Sequence, residues 1–69
     1  MKIRHPVQVR EKLMRKHGWL TIEDVARGLG MSTHTVGKMF RGETIRSTSV
    51  IKLAAAMDEG AADIATFVS

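Results

Sequence analysis

Sixty-nine residues with no cysteine and a formal charge of +4 leave room for one domain and exclude both a disulfide framework and a thiolate metal site. A chain this short buries only about 60% of the surface it exposes when unfolded, so its stability must come from an efficient aliphatic core or from a partner. No run approaches the roughly 20 apolar residues of a membrane span, and the basic amino terminus is not followed by the apolar stretch of a secretory signal; a soluble, cytoplasmic protein is the expectation.

The charge is uneven along the chain. Residues 1–18 carry Lys2, Arg4, Arg10, Lys12, Arg15 and Lys16 against Glu11 alone, whereas residues 47–69 carry Lys52 against Asp58, Glu59 and Asp63. One end suits an anionic partner and the other does not.

Met1 to His5 reads as a short basic arm, extended or mobile. Pro6 fits the first turn of a helix, where a missing N–H is harmless. Val7, Val9, Leu13 and Met14 then supply an apolar stripe up to His17, and Gly18 ends the helix. Trp19 and Leu20 form a link expected to pack inward. Thr21 and Asp24 stand at capping-box spacing, and Ile22, Val25, Ala26 and Leu29 repeat at helical spacing, so a second helix runs to about Leu29 with Gly30 as its C-cap. After Met31, Ser32 is a natural N-cap for a third helix that buries Val36, Met39 and Phe40 and ends before Gly42. Glu43 to Arg46 is a loop anchored by Ile45. Ser47 is expected to cap a fourth helix through Met57, with Val50, Ile51, Leu53, Ala54 and Met57 on its apolar face. Asp58 to Gly60 breaks the chain before a short fifth helix from Ala61 to Val68. No repeat, low-complexity tract or alternating strand pattern is present. Two short helices joined by a glycine-containing turn, from Thr21 to Arg41, carry the helix-turn-helix signature.

The segment TIEDVARGLGMSTHTVGKMFRG, Thr21 to Gly42, resembles the helix-turn-helix of the phage repressor and Cro (Xre) family. The resemblance rests on small Ala26 early in the first of the two helices, Gly30 in the turn, Met31 and Ser32 after it, Val36 midway through the next helix and Gly42 behind it. Val50-Ile51-Lys52-Leu53-Ala54 is similar to the family's fourth helix. The block TIEDVARGLGMSTHTV is also similar to the start of the LacI family; that family opens directly on the motif, whereas here a whole helix precedes it, so the repressor and Cro type ranks higher. Where the family often has a phosphate-reaching glutamine, this chain has Ile22. The resemblance implies an all-α, lambda-repressor-like bundle of four to five short helices spanning 1–69, acting as a small transcriptional regulator or repressor in a bacterial cell or phage-infected host.

The chemistry of the third helix agrees with that implication. A major groove admits one helix, and residues toward its amino end reach base edges. Thr33, His34 and Lys38 are the candidate base contacts. Ser32, Arg41, Thr44 and Arg46 suit the phosphate backbone, with Lys2 and Arg4 reaching the same duplex as an arm. Ile64, Phe67 and Val68 form a carboxyl-terminal apolar patch that seals the core or pairs two subunits on a two-half-site operator. The rival reading is a protein-interaction or antitoxin-like module on the same fold. An enzyme is not expected: His5, His17 and His34 lack HExxH spacing, Asp58 and Glu59 read as a solvated helix end, and no phosphate loop is present, so no metal, cofactor or small-molecule ligand is implied.

Overall fold

A computed structural model describes residues 1–66. The elements in chain order are β1 (Lys2–Ile3), α1 (Pro6–His17), α2 (Ile22–Leu29), α3 (Thr33–Phe40), α4 (Ser47–Met57), α5 (Ala61–Ile64) and β2 (Ala65–Thr66).

Local chemistry sets most of the boundaries. Pro6 opens α1 after His5 turns the chain in the left-handed region, and Gly18 closes it at φ 71°. Gly18 N–H donates to the Met14 carbonyl, as does Trp19 N–H at 2.9 Å, so an orphan carbonyl of the last turn is satisfied. The α2 capping box is complete: Thr21 Oγ1 accepts from Asp24 N–H at 3.1 Å while the Asp24 carboxylate accepts from Thr21 N–H at 3.3 Å. Gly30 ends α2 at φ 69°, a conformation glycine adopts without steric cost, and Met31 N–H returns to the Ala26 carbonyl at 2.9 Å. The Ser32 hydroxyl then accepts from Thr35 N–H at 3.1 Å and starts α3.

The Asp24 carboxylate also accepts from Leu20 N–H at 3.1 Å. That bond, followed by those from Thr21 and the charge of Arg27, holds the Asp24 carboxyl below its ordinary value of 3.8. A depressed folded pKa means that the stabilisation is complete above the ordinary value and is lost as pH falls through the folded one. The melting temperature of wild type should therefore exceed that of Asp24→Asn by a constant margin between about pH 5 and 7, and the margin should shrink as the pH falls below 3.8; a margin unchanged in acid would contradict the capping role.

The helices share one aliphatic core in which Leu13, Val25, Val36, Met39, Val50 and Leu53 are fully buried. Ala26, buried in α2, is small enough to let α3 cross closely, and a branched side chain there would force overpacking. Ile45 is buried as the anchor of the α3–α4 loop.

Several expectations are corrected. The amino-terminal arm is a strand: Lys2 and Ile3 pair antiparallel with Thr66 and Ala65, Ile45 N–H donates to the Met1 carbonyl at 2.8 Å, and Arg4 N–H donates to the Ile64 carbonyl at 2.9 Å. Ile3 is buried in the core, which fixes the segment. The fifth helix stops at Ile64, because the chain turns extended at Ala65 to pair with β1. Arg46, not Ser47, is the N-cap of α4, and no side chain caps that end; the chain stays extended through Arg46 and Ser47 is already helical. Trp19 packs half-buried against the core, and its ring stacks on His17 at 4.3 Å. Leu20, by contrast, is 85% exposed, since the bond from its N–H to Asp24 orients the backbone and leaves the side chain outside. Val7 and Ile51 are exposed too.

Candidate nucleic-acid interface

α3 is positioned by its inner face. Val36 and Met39 are fully buried, and the 3.6-residue period then turns Thr33, Gly37 and Arg41 outward along one ridge and His34 and Lys38 along the next. Thr33, His34 and Arg41 are exposed and Lys38 is half-buried. Among the described residues, the side chains of Thr33, His34 and Lys38 make no hydrogen bond or ion pair within the fold, so their polar groups face solvent rather than each other.

One flank of this face is a groove between α3 and the amino end of α4. Ser32, His34, Thr35 and Lys38 line it from α3, with Arg46, Thr48, Ser49 and Lys52 opposite. Lys52 Nζ reaches across to the Gly30 carbonyl at 3.2 Å and places a cation beside the helix-turn-helix turn. Arg46 and Thr44 are exposed in the adjoining loop. The opposite flank carries Phe40, half-buried, with the Arg10 guanidinium 5.9 Å from its ring centroid, a cation–π placement.

The predicted residues therefore fall into two groups. Ser32, Thr33, His34, Lys38, Arg41, Thr44 and Arg46 lie on α3 or the loop behind it. Arg4 does not join them: its guanidinium donates to the Ala62 carbonyl, and it lines a separate groove with His5, Gln8, Lys12, Glu59 and Asp63. Lys2 is exposed but held in β1, so neither is a free arm. Ile64 is 3% exposed and sits inside the chain's own core, where it offers no surface to a second subunit; Phe67 and Val68 lie outside the described residues. Ile22 packs partly against the core.

Lys52 and Thr48, which line the groove beside α3, and Arg10, which lies over Phe40, are neighbours of the candidate interface that the sequence reading passed over. Thr48 and Lys52 share a face of α4 at i, i+4 spacing, which was a usable signal. Arg10 meets Phe40 only through the crossing of α1 and α3, and no local pattern reveals it.

A family model described as the Cro/C1-type HTH DNA-binding domain matches residues 11–69. The chain belongs to that family. No curated protein and no solved structure matches it. The matched span takes in α2, the Gly30 turn and α3, together with α4 and the loop before it, and it settles the resemblance in favour of the repressor and Cro type over LacI. As a Cro/C1-type domain the chain is a DNA-binding one, and its α2 and α3 are the helix-turn-helix.

Proposed function

We propose that the chain binds specific double-stranded DNA with α3 in the major groove, and that it works as a small transcriptional regulator, most simply a repressor. The observation that carries this reading is the outward face of α3, where Thr33, His34 and Lys38 are left without partners among the described residues while Arg41, Arg46 and Lys52 flank them. Phosphate contacts position a protein and base contacts specify the sequence. Lys38 can donate to guanine O6 or N7, and Thr33 can meet a hydrogen-bonding edge or a thymine methyl. Arg41 and Arg46 suit backbone phosphates.

Selection of bound duplexes from a random pool tests the reading: a recovered consensus supports it, and a pool left unenriched opposes it. On that consensus, Lys38→Ala should relax discrimination at one base pair by about 1–3 kcal/mol. Equal weakening on consensus and random duplexes would reassign Lys38 to a phosphate.

A homodimer on two half-sites about one helical turn apart is part of the proposal, and a palindromic consensus together with a dimeric sedimentation coefficient on DNA would support it. Its place of action under this reading is the cytoplasm of a bacterial or phage-infected cell. Among the described residues the protein-interaction alternative gains little, because the exposed large apolar residues there, Val7, Leu20 and Ile51, lie on α1, the α1–α2 link and α4.

A further inference from the structure

The Arg41 guanidinium does not stand free on the recognition face. α3 ends at Phe40 with Arg41 as its C-cap; Gly42 follows at φ 76°, and Glu43 N–H folds back to donate to the Lys38 carbonyl at 3.0 Å. This turn fixes the Glu43 backbone directly behind the last outward ridge of α3. From there the Glu43 carboxylate accepts from Arg41 Nε. Gly37 opens the space in which Arg41 lies, since a Cβ built on Gly37 would stand 3.0 Å from Arg41 Nη1. Both partners remain substantially exposed, at 60% for the Arg41 side chain and 47% for Glu43.

We propose that Glu43 is an autoinhibitory contact and thereby a specificity-setting residue: its carboxylate occupies Arg41 as a phosphate oxygen would, and so weakens the sequence-independent part of DNA binding. The inference rests on the DNA-binding reading above. An anionic oxygen on a guanidinium is the same chemistry whether it comes from a carboxylate or a phosphate. Exposed ion pairs of this kind are weak, so a duplex held in register by base contacts displaces Glu43 from Arg41, whereas a loosely held random duplex does so less often. The Glu43 carboxyl is also held below its ordinary value of 4.5, first by the hydrogen bond from Arg41 and then by the charges of Arg41, Lys38 and His34.

The test is fluorescence anisotropy with a labelled random-sequence duplex, for wild type, Glu43→Gln, Arg41→Ala and the double variant, each checked for helical content by circular dichroism. Glu43→Gln keeps the side-chain shape and the backbone bond to Lys38. It should bind the random duplex about three- to tenfold more tightly at roughly 0.1 M salt, the size of one charge removed close to a phosphate. In the Arg41→Ala background the same substitution should give less than half of that gain on a logarithmic scale, and on a selected high-affinity duplex the gain should be smaller than on the random one. Unchanged or weaker binding by Glu43→Gln overturns the inference, as does an equal gain with and without Arg41, which would reduce Glu43 to a general repulsive charge. If wild type binds no duplex at any salt concentration, the DNA-binding reading falls and takes this inference with it; if wild type binds and Glu43→Gln does not differ, this inference falls alone.

Discussion

Ile3→Ala should destabilise the protein by about 2–5 kcal/mol, a large share of the roughly 3–10 kcal/mol that a domain of this size possesses. Ile3 is 4% exposed and belongs to the core with residues of every helix, although it sits only three residues from the amino terminus. Removing its side chain takes away the transfer free energy of the buried carbons. It also leaves a space between β1 and the helices that can close only if the strand lets go of Ala65 and Thr66. The loss should extend beyond the strand, because Ile45 N–H is tied to the Met1 carbonyl and the α3–α4 loop carries Thr44 and Arg46. Lys2→Ala, at the exposed neighbour in the same strand, should change stability by less than about 0.5 kcal/mol. Urea unfolding followed by circular dichroism distinguishes the cases: a midpoint that falls for Ile3→Ala and holds for Lys2→Ala is expected, and two unmoved midpoints would mean that the segment is a loose arm after all.

The parts of the fold that sequence makes legible are those decided within one helical turn. Thr21 with Asp24, Gly18, Gly30 and Ser32 each satisfy or terminate a helix end by contacts to residues at most a few positions away, and all four perform as their chemistry requires. The inward period of Val25, Ala26, Leu29, Val36 and Met39 is equally local, and it fixes by elimination which residues of α3 point outward. Pairing of Lys2 and Ile3 with Ala65 and Thr66 is another matter. Two-residue strands have no period to detect, and their partners lie at opposite ends of the chain. Leu20, Val7 and Ile51 mislead for a different reason: nothing forbids an apolar side chain on the surface, so hydrophobicity alone does not place it. Within the candidate interface, Thr33, His34, Lys38 and Arg41 follow from helical spacing. The bond between Glu43 and Arg41 depends on the left-handed turn at Gly42, and a loop read only as a connection hides it. Ile64 reads equally as core or as interface, and only the packing of α5 decides it for the core.

These cations and partnerless polar groups are a DNA surface only if binding is electrostatic in the way that duplex binding must be. A protein that neutralises Z phosphates releases the counterions they held, and the logarithm of its affinity falls with the logarithm of salt at a slope of about −0.9Z. Arg41, Arg46 and Lys52 bring Z to about three, which predicts a slope of roughly −2.7 and an affinity lower by about 40-fold at 200 mM than at 50 mM salt. Replacing Arg46 with alanine should reduce the slope by about one on every sequence. The measurement that bears most directly on the account is therefore a titration of double-stranded DNA with the wild-type chain across that salt range. A steep decline, reduced in slope by Arg46→Ala, is the expected result. Binding that is absent at low salt, or present and indifferent to salt, would contradict the assignment of the α3 face to DNA.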